Sequence, residues 1–225
     1  MTDRAGDCVV AIDGPSGSGK STIARAVAGE LDLQVLDTGA MYRAVALAVL
    51  EAGVALDDEI GCAALARKLV INVDNGVTTI DGRDVSAEIR GPETTAAVSA
   101  VSAHPEVRSV LVAQQRSWVA DHGAGVVEGR DIGTVVFPAA RLKVFLTASD
   151  DERARRRQLD EEASARSVGV DDVRSALVKR DAHDSGRAVS PLRAAEDAIE
   201  IDTTRRGVDD VVAELVRRAR EAGIG

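Results

Sequence analysis

The 225-residue chain carries 28 basic and 37 acidic side chains, a formal net charge of −9, with 45% hydrophobic and 29% charged residues. That balance suits one globular domain with a sizeable core and argues against whole-chain disorder. The acidic excess and an aromatic content of only 2% argue against a general nucleic-acid binder, which needs a basic face and stacking platforms.

The chain opens on a polar stretch, Met1–Asp7, without an apolar segment of the signal-peptide kind, so a cytoplasmic protein is expected. Cys8 begins an apolar run and reads as a buried reduced thiol; with Cys62 it makes neither a metal-ligand spacing nor a disulfide framework. Val9–Ile12 is short and largely β-branched, and it ends at Asp13 before a Gly/Ser-rich loop, the pattern of a buried strand feeding a tight turn. Beyond the loop, Ile23, Ala24, Val27, Ala28 and Leu31 recur at helical spacing. Gln34–Leu36 reads as a second strand and Ala40–Leu50 as a helix. Apolar runs such as Ala44–Leu50 fall far short of the roughly 20 residues of a membrane span. Leu69–Asp74 and Val77–Asp81, joined by Asn75-Gly76, predict a hairpin within a small antiparallel insertion over about residues 65–100.

Strands are then expected at Gly125–Val127, Leu142–Leu146 and Ala198–Ile201, with helices over Ala103–Val119, Asp150–Ala165 and Val208–Ala222. Strands alternating with helices imply an α/β fold, a parallel sheet covered by helices, in one domain with its core at about residues 1–64 and 101–225. Arg153–Arg157, followed by Asp160–Glu162, reads as a charged helix laced with ion pairs or as a flap. Trp118 and Phe145 read as core; His104, His122 and His183 read as solvent-facing or packing residues.

Gly14-Pro15-Ser16-Gly17-Ser18-Gly19-Lys20-Ser21 fits the pattern G-x-x-x-x-G-K-[ST] at every fixed position and lies between a predicted strand and a predicted helix. Glycines let the backbone curl so that its N–H groups face phosphate oxygens, and the helix adds its positive end. Lys20 supplies charge to the β- and γ-phosphates, the Ser21 hydroxyl can ligate Mg²⁺, and Thr22 extends the ATP-binding set. A guanine-reading Asn-Lys-x-Asp element is absent, which argues against a GTPase. Leu36–Arg43 follows the second strand; Arg43 suits an acceptor phosphate, and taken alone it equally suits a surface arginine.

Taken with Glu128–Pro138 and Arg180–Leu192, these motifs resemble the bacterial cytidylate kinases (CMP kinases) of the nucleoside monophosphate kinase family, over about residues 8–220. The resemblance implies a P-loop kinase that uses Mg²⁺ and ATP to phosphorylate CMP and dCMP, as a monomer without nucleic-acid or membrane partners. It implies that Thr38, Arg43, Arg130 and Arg187 surround the CMP phosphate, that Ser99, Arg108 and Asp131 read cytosine, and that Arg180 and Asp184 contact the ribose. It also implies an arginine-rich lid at about residues 150–170. There Arg153 and Arg156 would meet ATP, and Arg156 and Arg157 would join Lys20 and Arg130 in the catalytic set. The hairpin region would enlarge the monophosphate-binding subdomain.

Two positions depart from the family pattern: Thr38 replaces a serine and keeps its hydroxyl, and Glu128 replaces an aspartate and reaches one methylene further. A direct metal-ligand role is therefore not expected of Glu128, and Asp37 stays open between a role behind the metal and a plain structural one. The chemistry of the base supports the resemblance. A carboxylate at Asp131 accepts from the cytosine amino group, while Arg108 donates to N3 or O2; uracil would set O4 against the carboxylate. The competing functions are a kinase of another small acceptor (UMP, shikimate or gluconate), a non-catalytic nucleotide switch, and a nucleic-acid-binding ATPase, which the −9 charge and scarce aromatics disfavour.

Overall fold

The computed structural model describes residues 8–74, 76–163, 170–187 and 189–225, and no side chain over 160–172. The polar start, Asn75 of the expected turn, residues 164–169 of the expected lid and the side chains of its Asp160–Glu162 run thus lie outside the described parts. β1 (Val9–Asp13) leads through the Gly/Ser loop into α1 (Lys20–Leu31), β2 (Val35–Asp37) and α2 (Thr38–Glu51). α3 (Glu59–Ala66) precedes β3 (Ile71–Asp74), β4 (Val77–Ile80) and β5 (Arg83–Asp84). α4 (Pro92–Val101) and α5 (Pro105–His122) return the chain to β6 (Gly125–Gly129). A π-helical turn (Ile132–Val136) leads to β7 (Leu142–Thr147), α6 (Asp150–Ala163) and α7 (Val170–Ser185); β8 (Ile199–Asp202) and α8 (Val208–Glu221) follow.

The main sheet is parallel, in the order β2-β6-β1-β7-β8. Every residue of β1 is buried, as a strand covered on both faces requires. Its side chains alternate between two cores: Val9 and Ala11 pack with α2 and α5, while Val10 and Ile12 pack with α1 and α8. In α8, Val211, Val212, Leu215, Val216 and Ala219 form the buried stripe that closes the second core. The sheet thereby sets the C-terminal ends of β1, β2 and β6 side by side, with Asp13 opposite Gly129 and Asp37 opposite Glu128.

The hairpin register, Asp74 opposite Val77, matches a two-residue connection, and β5 adds a third strand that the sequence pattern did not reveal. α3 and α4 were also not expected; each is short and weakly patterned. α5 begins later than the expected Ala103, because Pro105 takes the first helical position and His104 is extended. It runs past Val119 to a left-handed Gly123. The Arg180–Ser185 motif is helical, as the end of α7.

Three core expectations are corrected. Cys8 is half-buried, and the enclosed thiol is that of Cys62. Phe145 is half-buried and belongs to neither core, because β7 turns it toward a partly open face. Trp118 packs on the rim of the first core and stacks on His122, with ring centroids 4.1 Å apart. Among the described residues, no helix is long and apolar enough to cross a membrane.

Candidate active site

The loop between β1 and α1 is shaped by glycine where nothing else fits. Gly14 has φ 148°, and a Cβ there would collide with the Leu146 carbonyl; Gly17 has φ 79° and lies against the Arg153 backbone. Lys20 is 6% exposed, and its ammonium donates to the Pro15 carbonyl at 2.7 Å. Burial holds the Lys20 pKa well below that of an ordinary lysine, and the Arg130 charge pushes the same way. Glu128 and Asp13 pull the other way, and an arriving phosphate would add to their effect.

Next to Lys20 the Ser21 hydroxyl donates to Glu128 Oε2 at 2.9 Å. Burial raises the Glu128 pKa, and Asp37, its neighbour across the β2–β6 pair, adds to the rise. Asp37 itself caps α2, accepting from the Ala40 N–H at 3.0 Å. The donor set around Ser21 is therefore hard oxygen, the kind that suits Mg²⁺. No group of three or more His, Cys, Asp or Glu side chains among the described residues could hold a metal alone. Phosphate oxygens and water would have to complete the shell, as a nucleotide-borne Mg²⁺ requires, and the residues present fit it.

The loop opens into a cleft of about 580 Å³, within the usual range of a ligand site. Lys20, Ser21 and Thr22 line it together with Arg43, Arg130, Arg156, Arg157 and Arg180. Burial, then Arg157, pushes the Arg43 pKa down to about 10. Burial, then Arg130 and Arg43, pushes Arg180 down to about 9. These guanidiniums stay charged at neutral pH and repel one another, so a polyanion is the matching ligand. Arg43 is pre-set by the Ile89 carbonyl at 3.2 Å and Thr95 Oγ1 at 2.9 Å. A larger, shallower depression over Val212, Val216 and Arg217 shares no residue with this cleft and has no phosphate loop.

Behind the cleft runs a continuous polar chain. Asp131 pairs with Arg108, both buried, and Arg108 also donates to the Ser102 carbonyl at 3.3 Å. The Ser102 hydroxyl accepts from Arg187 at 3.1 Å, Arg187 pairs with Asp184, and Asp184 accepts from Arg130 Nε at 3.1 Å. Arg180 lies 4.0 Å from the same Asp184 carboxylate. The Arg108 guanidinium sits over the Tyr42 ring at 5.2 Å, and burial raises the Tyr42 hydroxyl pKa to about 12. Tyr42 thus packs against the Arg108 side chain. Ser99 is tied in through its carbonyl, 3.2 Å from His183 Nε2 on α7. Thr38 Oγ1 donates to the Glu128 carbonyl at 2.7 Å.

The α6 arginines divide. Arg156 and Arg157 line the cleft, and Arg156 also reaches Thr203 and, at 3.4 Å, the Gly17 carbonyl. Arg153 does not line it. It is buried between Asp150, Asp181 and the Ser16 carbonyl, where it fastens α6 to α7 and to the loop. The ion-paired helix read from the charges is present as well: Arg155, then Arg156, holds the Glu152 carboxyl down to about 2. Two participants escaped the sequence reading. Ser102 carried no motif, and Asp13 showed only as the polar end of an apolar strand.

Comparison with known proteins places the chain in a family. The cytidylate kinase family model matches residues 10–221. A cytidylate kinase of Nocardia farcinica is 51% identical over 213 residues, 93% of this chain and 92% of that protein. One of Corynebacterium efficiens is 50% identical over 216 residues, 94% of each chain. Among solved structures, an uncharacterized protein from Eubacterium ventriosum superposes with a TM-score of 0.54 at 14% identity, over 96% of this chain and 99% of that one, a likeness of fold alone.

Proposed function

The chain belongs to the cytidylate kinase family, and from that footing we propose that it transfers the γ-phosphoryl group of ATP to CMP and dCMP, giving CDP and dCDP. The observation that carries the substrate reading is the buried Arg108–Asp131 pair, joined through Ser102, Arg187 and Asp184 to Arg130 on the cleft wall. One end of this chain can read a base, and the other can hold a phosphate.

In this reading the glycine loop and Lys20 hold the β- and γ-phosphates of ATP, while Arg43, Arg130 and Arg187 hold the CMP phosphate with Thr38 beside them. Arg180 and Asp184 take the ribose hydroxyls. Asp131 accepts from the cytosine amino group, Arg108 donates to the ring, and Ser99 completes the base contacts. Ser21 would hold Mg²⁺ together with phosphate oxygens and water, Glu128 standing behind it; when bound, the ion neutralises charge on the β- and γ-phosphates. Arg156 and Arg157 approach the transferred group from α6. No general base is needed, since the attacking phosphate oxygen is ionised at neutral pH, so the protein's work is alignment and charge neutralisation.

A coupled steady-state assay with Mg-ATP against CMP, dCMP, UMP, AMP, GMP and shikimate tests this reading. Turnover concentrated on CMP and dCMP is the expected result. Equal rates with UMP would keep the kinase and overturn the role given to Asp131, and silence across the panel would overturn the proposal.

A further inference from the structure

We propose that Asp13 is a positioning residue that ties recognition of the acceptor base to the strand beneath the donor loop; the inference deepens the reading above and rests on CMP being the acceptor. Asp13 ends β1, immediately before the phosphate loop begins at Gly14. Its carboxylate is 4% exposed, and each oxygen accepts one backbone N–H: Oδ1 from Ile132 at 2.8 Å and Oδ2 from Gly133 at 2.7 Å. Those two residues open the π-helical turn and follow directly on Arg130 and Asp131.

The first N–H groups of any helical turn lack partners within it, and the residue before the turn usually supplies one. Here that residue is Asp131, which makes no side-chain cap because its carboxylate is engaged by Arg108. Asp13 provides the cap instead, from the strand that pairs with β6 in the register Asp13 opposite Gly129. Asp131 is thereby spared the capping role and stays paired with Arg108 on the base side of the proposed site. The turn is also closely packed: a Cβ on Gly133 would lie 3.3 Å from the Lys143 side chain and 3.5 Å from Asp13 Oδ2. The peptide carrying Arg130 and Asp131 therefore takes its position from Asp13, and so from the same strand that launches the phosphate loop. No motif assigns Asp13 this role, and it touches neither nucleotide in the proposed arrangement.

Asp13→Asn is the informative change, because it keeps the shape. An amide has one acceptor oxygen, so whichever way it lies its NH₂ faces one of the two N–H donors, and the turn must move. The expected result is a fall of about tenfold in the CMP-over-UMP ratio of kcat/KM, the scale of one lost buried hydrogen bond, with a raised KM for CMP and a smaller change in KM for ATP. A lower Tm with an unchanged ratio would mean a purely structural role and overturn the proposal, as would equal rises in both KM values. Amide hydrogen exchange on the ligand-free wild-type protein gives a check that does not depend on the variant folding. Slow exchange at Ile132 and Gly133 is expected, and exchange as fast as in exposed loops would overturn the proposal. If the wild-type protein fails to phosphorylate CMP, the substrate reading falls, while the exchange rates still decide whether Asp13 holds the turn.

Discussion

In the proposed arrangement the donor loop offers phosphate one contiguous stretch, Gly14–Ser21, with a curled backbone and a single lysine. The proposed acceptor side gathers Arg43 from α2, Arg108 from α5, Arg130 and Asp131 from the segment after β6, and Arg180, Asp184 and Arg187 from the end of α7 and beyond. A device of the first kind suits any nucleoside triphosphate tail, since backbone N–H groups read phosphate and nothing else. The second is made of side chains that hold one another, most of them across elements, as Arg108 with Asp131, Arg130 with Asp184 and Arg187 with Ser102, and orientation is what reading a base requires. On the proposed function, affinity for phosphate is thus local, and selectivity among acceptors belongs to the assembled network.

The sharpest way to break this contrast is Lys20→Met. It should lower kcat/KM by about 10³-fold, the scale of removing a charge that acts on the transferred group, and by the same factor for CMP, dCMP and UMP. Steady-state kinetics with the three acceptors, beside an unchanged circular-dichroism spectrum, checks it. Asp131→Ala should do the reverse, reducing the CMP-over-UMP ratio by about 10²-fold or more while KM for ATP stays near its wild-type value. If Lys20→Met changed the ratio, or Asp131→Ala left it alone, the division between the two sides would not stand.

A smaller effect sharpens the donor side. Because burial lowers the Lys20 pKa and phosphate restores the ammonium, metal-free ATP should bind with net proton uptake at about pH 8. Calorimetric titration in buffers of different ionisation enthalpy measures the uptake, and Lys20→Met should abolish it. The smallest change expected is that of Thr38→Val, which removes the hydrogen bond to the Glu128 carbonyl. A loss of about 1 kcal/mol in stability and a several-fold rise in KM for CMP, with ATP unaffected, are expected from thermal melts and kinetics.

Much of this was legible before the fold. The alternation of apolar strands and helices placed the parallel sheet, and the phosphate loop was complete in its own residues. The hairpin followed from Asn75-Gly76 between two β-rich runs. Short or polar elements were harder to see: α3 and α4 have weak periodicity, and β5 is two residues long. In the arginine run of α6, all five positions from Arg153 to Arg157 are polar except Ala154, so the pattern could not separate them. Packing did so, burying Arg153 against Asp181 and turning Arg156 and Arg157 to the cleft.

What the amino-acid sequence determined by itself was the donor chemistry, because a phosphate loop is a short-range object whose glycines and lysine act within one turn of chain. Its longer motifs also pointed to the family, which the family model bears out. Only the tertiary structure decided how the residues of the proposed acceptor side work on one another: that Ser102 links Arg108 to Arg187, that Asp184 gathers three arginines, and that Asp13 caps a turn more than a hundred positions away. Such contacts depend on strand register and helix packing between distant segments, and those are set by the burial of the two cores.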